Sequence, residues 1–293
     1  MRTVIDKTYL RLVNKEHPLD SHKPNYYEYD DVLVKTSNDS VVDTDDVVEV
    51  GAKSSVVRTF IEKRTNRAFE DLKADLAKKG MNIRINEAGR TADKQQFYRE
   101  RAEKLESELS STDKSYENYA DNYVARPNET EHGLGTAVDI GTFSKAVSRI
   151  KNPKINNAVH KIVRKLVLYP VMHKTAIKHG FITRYPIKYT ISNKRRQEIE
   201  DARNSNNVLI SSSGDEFRKL LVQYNYEPWH LTYVGEENAR FIADNKITLE
   251  EYVRLVEIYE EYADELNNDA NCPSLQEFYD LYTLQQDDDD KSL

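Results

Sequence analysis

The apolar residues between positions 54 and 109 follow a helical, then a strand-like, then again a helical spacing. Residues 54–79 carry apolar side chains every three or four positions, which predicts a helix that ends at Gly80. Residues 81–91 alternate isoleucine with polar residues, which predicts a strand that ends near Gly89. Thr91 is placed to cap a second, mostly polar helix that reaches about Leu109. The apolar stripe of the first helix consists of Val57, Ile61, Ala68, Leu72 and Leu76.

Further along the chain, apolar runs alternate with turn-forming residues. The segment "TAVDIGT" is typical of a buried strand. Residues 152–177 follow a helical spacing that Pro170 is expected to bend or break. Gly180 predicts the end of that helix, and "FITRYP" predicts a strand directly after it. Residues 220–234 are strand-like on both sides of Pro228.

The C-terminal region is predicted to be helical. Thr248 and Glu251 form a capping box ahead of the helical pattern in "YVRLVEIYEEYADEL". The segment "SLQEFYDLYTL" predicts a last helix, and "QQDDDDKSL" predicts a solvated acidic tail. The alternation of helices with short strands along the chain predicts an α+β fold.

Three polar regions interrupt these patterns. Residues 1–50 show little periodicity and predict short irregular strands with acidic loops. Residues 110–128 form a polar loop of the kind that often frames a site, and residues 187–220 are a charged insertion with one short helix. We expect the function to lie in loops that the helices and strands position.

Composition excludes several functional classes for this chain of 293 residues. The net charge of −7 argues against nucleic acid as the main partner, because phosphate binding needs a basic face. No window approaches eighteen apolar residues, so no segment is expected to span a membrane. Cys272 is the only cysteine, which excludes an intrachain disulfide and cysteine-rich zinc sites. The nineteen tyrosines indicate many half-buried aromatic positions, as in an open cleft.

The segment "HGLGTAVD" contains the first candidate metal ligands. Asp139 lies between Val138 and Ile140 in a predicted strand, where a carboxylate without a partner is costly. His132 lies beside glycines that allow close backbone approach, and the two side chains together could be two ligands of a zinc ion. The alternative is a core aspartate bonded to backbone and an exposed histidine, and this segment alone favours that alternative.

The segment "YEPWHLTY" contains the second group of candidates. Glu227 and His230 are three residues apart and would point to opposite faces of a flat strand. Pro228 donates no backbone hydrogen bond, so the strand must bend there, and the bend could turn both side chains into one pocket. His230 would then be a third ligand, and Glu227 would accept a proton from a water at the open fourth position. Trp229 and Tyr233 are expected to pack in the pocket wall.

Together, "TEHGLGTAVD" and "YEPWHLTYVG" resemble the paired signature of the VanY-type zinc D-alanyl-D-alanine carboxypeptidases, which are LAS metallopeptidases. That signature is Ser-x-His-x-x-Gly-x-Ala-x-Asp followed by Glu-x-Trp-His, and its two halves occur here in the same order. Weaker similarity in "YLRLVNKEHPLD", "HGFITRYP" and "ITLEEY" extends the resemblance over residues 9–253 in pieces.

The resemblance also implies an architecture. It implies a small antiparallel sheet that carries the zinc site and is flanked by helices, with long loop insertions and a helical C-terminal extension. Residues 1–253 would then be a single catalytic domain with insertions at about 110–128 and 187–220. Residues 254–293 would form the helical extension and the acidic tail.

The resemblance assigns roles to particular residues. It implies one zinc ion per chain, with Glu227 as the catalytic base. The family pattern also contains an arginine followed five residues later by a glutamine, which correspond to Arg90 and Gln95. An arginine suits a peptide carboxylate or a developing oxyanion, so Arg90 is predicted to be catalytic. The implied zinc ligands are His132, Asp139 and His230, and the implied substrate-binding residues are Gln95, Thr130, Tyr185 and Trp229.

The chain departs from the family pattern at three places. Thr130 replaces the usual serine but still offers a hydroxyl to the substrate carboxylate, and the segment around Arg90 lacks the usual aromatic residue. An insertion separates Tyr185 from Glu227 and predicts a lid or a partner surface. Packing is the default expectation for both Arg184 and Tyr185, although Tyr185 could line the pocket. The other histidines have no spacing that requires a metal: His17, His22, His160, His173 and His179.

The sequence therefore predicts a zinc-dependent carboxypeptidase that removes the C-terminal D-alanine from peptidoglycan stem peptides, with D,D- or L,D-specificity left open. One alternative is a peptidoglycan endopeptidase of the phage-lysin type. A second alternative is a zinc-containing wall-binding module without turnover, which the presence of Glu227 beside a full ligand set argues against. The expected partner is the peptidoglycan stem peptide, and the expected state is a monomer.

The expected location follows from that substrate and from the first residues of the chain. The first twenty residues lack the apolar core of a secretory signal, so the chain either stays inside the cell or has lost a leader. We expect a protein in the cell envelope or outside a bacterium, or one that is cytoplasmic until lysis if it comes from a phage.

Overall fold

The computed structural model describes residues 1–20, 32–35, 41–43, 59–144, 161–186, 221–266 and 271–290. Within these ranges the helices and strands alternate, so the predicted α+β class is confirmed. The strands are β1 Val32–Lys35, β2 Val41–Asp43, β3 Thr59–Glu62, β4 Met81–Glu87, β5 Ala137–Ser144, β6 Phe181–Thr183 and β7 His230–Tyr233. The α-helices are α1 Lys63–Lys78, α2 Ala92–Leu109, α3 Tyr119–Tyr123, α4 Tyr169–Ala176, α5 Glu236–Asn245, α6 Leu249–Leu266 and α7 Leu275–Asp290.

The central sheet has the strand order β4-β5-β7-β6, and all its neighbours are antiparallel. Since successive side chains of a strand point to opposite faces, Val138 and Ile140 of β5 enter the main core, and Asp139 points away from it. The register pairs Asp139 with Glu87 of β4 and with His230 of β7. This antiparallel register therefore gathers polar side chains on one end of the sheet. A smaller sheet has the order β2-β1-β3.

The first helix begins later than its sequence pattern predicts. Residues 59–62 form β3, which pairs with β1, and α1 begins only at Lys63. The buried carboxylate of Glu62 caps the helix by accepting hydrogen bonds from the backbone N–H groups of Arg64 (2.8 Å) and Thr65 (2.7 Å). The predicted start at residue 54 is therefore wrong for residues 59–62, because Ile61 packs into the core from a strand. Residues 51–58 lie outside the described part.

The elements on either side of Gly80 agree with the sequence. The helix stops at Lys78, and Gly80 follows in the left-handed region with φ +76°. Strand β4 ends at Glu87, near the predicted boundary. Helix α2 ends at Leu109, and the Thr91 hydroxyl accepts a hydrogen bond from the backbone N–H of Lys94 (3.3 Å). These predictions are confirmed.

The predicted long helix is interrupted close to Pro170. Residues 164–168 form a π-helical turn, and α4 begins at Tyr169, which places the proline in its first turn. The wider turn accommodates a residue that clashes with the preceding carbonyl of a regular α-helix. The helical region ends at Gly180 and is followed by β6, as predicted. Residues 151–160 lie outside the described part.

The segment around Pro228 is a strand only after the proline. Residues 221–222 are helical, residues 223–229 are irregular, and β7 begins at His230. The backbone N–H of His230 donates to the carbonyl of Glu227 (3.1 Å), which closes a turn over Pro228 and Trp229. The predicted strand before Pro228 is therefore wrong, since the chain turns there instead of pairing. The predicted insertion at 187–220 lies outside the described part.

The capping box at the start of α6 is confirmed. The Glu251 carboxylate accepts from the backbone N–H of Thr248 (2.6 Å), and the Thr248 hydroxyl accepts from the backbone N–H of Glu251 (3.2 Å). A second capping box, with the Ser-x-x-Glu spacing, joins Ser274 to Glu277 ahead of α7. Helix α7 continues to Asp290 and so includes most of the predicted tail.

A second core joins both ends of the described chain. Leu10 of the N-terminal segment packs with Ile182 of β6 and with buried residues of α5, α6 and α7. The proposed domain boundary after residue 253 falls inside α6. In the part of the chain that the structure describes, no helix is both long and apolar enough to cross a bilayer.

A buried ion-pair network connects the central sheet to α6. Arg184 is fully buried, and its guanidinium donates to Glu131 (2.6 Å) and to Glu250 (2.6 Å). Burial alone would lower the pKa of Arg184, but the two carboxylates outweigh that effect and hold the pKa well above its ordinary value. The network joins the turn that contains Glu131 to the first turn of α6.

Replacing Arg184 by methionine should destabilise the fold strongly, because two carboxylates would stay buried without their cation. We expect Arg184→Met to lower the free energy of unfolding by about 3–5 kcal/mol, measured by urea denaturation. The matched control is Lys78→Ala, which removes only an exposed pair with Asp75 and should change stability by less than about 1 kcal/mol. Equal effects of the two substitutions would contradict the importance of the buried network.

Candidate metal centre

Three side chains predicted to bind zinc lie together at one end of the central sheet. His132, Asp139 and His230 each offer one ligand atom, and these atoms all lie within 4.8 Å of one another. Asp139 and His230 are cross-strand partners on β5 and β7. His132 lies in a 3-10 turn that ends at Gly135, where φ is +74° and the chain enters β5. The turn and the strand register together therefore create the cluster.

His132 has the geometry of a metal ligand whose ring is held from outside. Its Nδ1 donates to the carbonyl of Ala88, so its Nε2 carries the lone pair and faces Asp139 Oδ2 at 3.4 Å. This Nε2 is buried and has no hydrogen-bond partner among the described residues. Burial and the nearby Arg90 lower the pKa of His132, which keeps the ring neutral. A neutral ring with a free lone pair fits a bound cation.

His230 faces the Oδ1 oxygen of the Asp139 carboxylate, whereas His132 faces Oδ2. Its Nδ1 lies 3.3 Å from Asp139 Oδ1 and 3.6 Å from a carboxylate oxygen of Glu227. Asp139 Oδ1 is buried and has no hydrogen-bond partner within the described ranges. The His230 ring packs against His132 (centroids 4.7 Å apart) and against Tyr185 (4.9 Å). Two imidazole nitrogens and one carboxylate oxygen are a donor set that suits zinc and leaves a position open.

Arg90 holds the second oxygen of Asp139. Its Nη2 lies 2.5 Å from Asp139 Oδ2, and its Nη1 donates to Gln95 (3.2 Å). Its backbone N–H donates to the carbonyl of His132 (2.8 Å), which ties the loop after β4 to the 3-10 turn. Burial alone would raise the pKa of Asp139, but His132 and Arg90 outweigh it and hold the pKa well below its ordinary value. Asp139 is therefore ionised.

The bend at Pro228 turns Glu227 and His230 toward one pocket, as the sequence suggested. The turn brings Glu227 and His230 to the same side, although a flat strand would separate them. The backbone N–H of Glu227 also donates to the carbonyl of Tyr185 (3.3 Å). A tight turn rather than a bulge produces this arrangement, because the hydrogen bond closes three residues along the chain.

The predicted substrate-binding residues all line one cleft of about 390 Å³ that also contains the three candidate ligands. Thr130 is buried and caps the 3-10 turn by accepting from the backbone N–H of His132 (3.4 Å). Gln95 is buried and donates to the carbonyl of Ala125 (2.7 Å). Tyr185 is buried in the wall, where burial and Glu131 raise its pKa. The four residues are Gln95, Thr130, Tyr185 and Trp229, and Trp229 is 37% exposed.

Several residues of the cleft wall escaped the sequence analysis. They come from α2, from α3, which lies in the predicted loop, and from the segment before Pro228, where a strand is predicted. Tyrosines at i and i+4 in residues 110–128 were a helical signal that could have revealed part of this wall. These residues are Tyr98, Arg101, Leu105, Tyr119, Tyr123 and Tyr224.

The remaining histidines that the structure describes lie apart from this cluster. His173 Nε2 contacts the carbonyl of Pro228 at 2.8 Å, and His179 forms an ion pair with Asp75 at 2.9 Å. His17 bonds within its own turn to Asn14. His22 and His160 lie outside the described residues.

Comparisons with known proteins point to one family. A family model described as "VanY: D-alanyl-D-alanine carboxypeptidase" matches residues 58–199. The matched range includes Arg90, Thr130, His132 and Asp139 but ends before Glu227.

Two curated relatives carry related names. The chain is 27% identical over 247 residues to "Putative carboxypeptidase YodJ" of Bacillus subtilis (strain 168), which covers 84% of this chain and 67% of that protein. It is also 27% identical over 134 residues to "Bifunctional D-Ala-D-Ala dipeptidase and D-Ala-D-Ala carboxypeptidase VanXYC" of Enterococcus gallinarum. That match covers 46% of this chain and 51% of the relative, so the chain spans about half of the second relative's length.

Solved structures of similar proteins have TM-scores just below one half. The vancomycin-resistance D,D-pentapeptidase VanY in complex with Zn(II) is 24% identical, with a TM-score of 0.49 over 84% of this chain and 99% of that one. The LdcB LD-carboxypeptidase is 26% identical, with a TM-score of 0.49 over 83% of this chain and 84% of that one.

Direct metal analysis tests the centre. We expect the protein to retain one zinc ion per chain after dialysis against trace zinc, measured by elemental analysis. His132→Ala and Asp139→Asn should each weaken zinc affinity by more than about 100-fold. Loss of a residue that only supports a ligand typically weakens metal affinity by about 10- to 100-fold, so loss of a ligand itself should cost more. The control His179→Ala, whose ring only pairs with Asp75, should keep full stoichiometry. Retention of zinc by both ligand variants would refute this site.

Proposed function

We propose that this chain, which matches a model of the VanY family of D-alanyl-D-alanine carboxypeptidases over residues 58–199, is a zinc-dependent carboxypeptidase acting on peptidoglycan stem peptides. It removes the C-terminal D-alanine of the stem. The observation that carries this proposal is the cluster of His132, Asp139 and His230 beside the Glu227 carboxylate in an open cleft. Both curated relatives are named carboxypeptidases, which supports the same reaction class.

The three ligands and Glu227 divide the chemistry between them. His132, Asp139 and His230 would hold a zinc ion, which when bound would supply a Lewis acid for the scissile carbonyl and for a water molecule. Glu227 is only half-buried and faces both the cluster and the cleft. Its carboxylate takes the proton of the attacking water and returns it to the leaving amine. The hydrogen bond from its backbone to Tyr185 keeps the carboxylate in place.

Arg90 and the wall residues orient the substrate. Arg90 holds Asp139 in its ionised form, and its positive charge also attracts the terminal carboxylate or the developing oxyanion. Thr130 offers its hydroxyl to the same carboxylate. Tyr185 and Trp229 supply apolar surface for the terminal D-alanine and the residue before it.

The substrate determines where the protein acts. Peptidoglycan lies outside the cytoplasmic membrane, so we place the reaction in the cell envelope or in the medium. A chain of phage origin meets the same substrate at lysis. We propose that one chain with one zinc ion is the active unit, since all the assigned residues come from a single cleft.

Replacing Glu227 by glutamine separates catalysis from metal binding. We expect Glu227→Gln to bind one zinc ion as the wild type does and to lose about 10²–10⁴-fold in kcat, because the amide accepts no proton. Glu117→Gln removes an exposed carboxylate outside the cleft and serves as the matched control, with unchanged kcat. Wild-type turnover in the Glu227 variant with zinc bound would exclude this residue as the base.

Product analysis distinguishes the proposed reaction from endopeptidase cleavage. Defined tetrapeptide and pentapeptide stems should release free D-alanine, measured by mass spectrometry. Release from the pentapeptide indicates D,D-cleavage, and release from the tetrapeptide indicates L,D-cleavage. Larger peptide fragments without free D-alanine would assign the protein to the endopeptidases instead.

A further inference from the structure

A row of three tyrosines, two of which line the cleft, has no role in the proposed chemistry. Tyr116 belongs to a 3-10 turn, and Tyr119 and Tyr123 are one turn apart on α3. The ring centroids of Tyr116 and Tyr119 are 5.2 Å apart, and those of Tyr119 and Tyr123 are 5.1 Å apart. Neighbouring rings are inclined by 41° and 37°, and we call this row of contacting rings the tyrosine platform.

The platform is continuous with the metal centre. Tyr119 and Tyr123 line the same cleft as His132 and Glu227. Tyr123 is 39% exposed, so its ring presents apolar area to solvent inside a binding cleft. Since this partly exposed ring lies inside the cleft, a ligand that occupies the cleft can contact its face.

The fold holds the platform rigidly. Arg99 is almost fully buried, and its guanidinium donates to the carbonyl of Val124 (2.9 Å) and to the Asp121 carboxylate (2.6 Å). Glu106 accepts from the backbone N–H of Ala120 (3.0 Å), and Gln95 donates to the carbonyl of Ala125. Helix α3 is too short to be stable alone, so these contacts fix it against α2. A fixed platform binds without a large ordering cost.

A polar group borders this apolar surface. Arg101 of α2 lines the same part of the cleft, and its guanidinium makes no ion pair or side-chain hydrogen bond with the described residues. Its five N–H groups can donate to hydroxyl and acetamido oxygens. Aromatic faces next to a hydrogen-bond donor suit a pyranose ring, which has an apolar C–H face and a polar edge.

We propose that the tyrosine platform, with Arg101, is a saccharide subsite that binds the glycan to which a stem peptide is attached. The identity of the saccharide rests on the proposed function, because a stem peptide in peptidoglycan is carried by N-acetylated sugars. Platform and metal centre belong to one cleft, so a single substrate molecule reaches both. The subsite makes a disaccharide-linked stem a better substrate than the free peptide.

Paired kinetics test the subsite. The same pentapeptide is offered free and linked to the disaccharide of N-acetylglucosamine and N-acetylmuramic acid. We expect the kcat/KM of the wild type to be about tenfold or more higher for the linked form than for the free peptide. Stacking of a sugar on one or two aromatic rings provides a binding free energy of this size. The ratio should fall toward one in Tyr119→Ala/Tyr123→Ala and persist in Tyr119→Phe/Tyr123→Phe, which keeps the ring faces.

The control is Tyr262→Ala. Tyr262 is 38% exposed and also packs beside an aromatic ring, that of Phe278 (5.1 Å), but it lies on α6 and does not line the cleft. Its substitution should leave the ratio unchanged. A wild-type ratio of one, or a ratio that falls equally in the control, would overturn the proposal. So would a double alanine variant that loses activity equally on both substrates, since the platform would then bind peptide.

A binding measurement separates this proposal from the proposed reaction. Peptide-free glycan strands are titrated into the full chain, and binding is followed by tyrosine and tryptophan fluorescence. Binding that the double alanine variant loses and the phenylalanine variant keeps supports the subsite even if no peptide is hydrolysed. Peptide hydrolysis without glycan binding would leave the proposed function intact and reject the subsite. Thermal unfolding of each variant shows whether α3 remains folded.

Discussion

The ionised carboxylate of Asp139, inside a strand whose other face is core, is the constraint around which the site is arranged. A buried carboxylate is tolerated only when opposite charge or hydrogen bonds offset its lost hydration. Arg90 neutralises one of its oxygens, and the other faces His230 without a hydrogen bond. The same arrangement leaves His132 Nε2 buried and without a partner among the described residues. The pocket therefore presents a buried nitrogen and a buried carboxylate oxygen without hydrogen-bond partners among the described residues, which is an arrangement that suits a bound cation.

The loops that carry these groups are fixed by contacts distant in sequence. Arg184 connects Glu131, the neighbour of the candidate ligand His132, to Glu250 of α6. The N-terminal segment supports the other side, where the backbone N–H of Leu19 donates to the carbonyl of Asn128 (2.8 Å). Ligand positions need to be fixed within fractions of an ångström, and loops alone do not provide such precision. The C-terminal helices thus contribute to the site although no residue of theirs lines the cleft.

The segment at residues 110–128 shows how a polar stretch becomes part of a binding wall. Its composition predicts a loop, since its apolar residues are few and no single stripe of them runs through it. Arg99 and Gln95, both on α2, satisfy the carbonyls of Val124 and Ala125 and so fix its end. The tyrosines are then free to face the cleft instead of the core. Five residues of helix form here because tertiary hydrogen bonds replace the missing helical propensity.

The sequence by itself determined the features that depend on local chemistry. Spacing and capping residues predicted α2, α6 and the strand that carries Asp139, and the paired motifs predicted the family and selected the candidate ligands. Only the tertiary structure decided which distant groups meet. The strand β3, the turn over Pro228 and the anchored α3 depend on partners far along the chain, whose identity local spacing does not encode. A side chain's neighbours across a sheet follow from register, and register is set by the whole buried face rather than by any one segment.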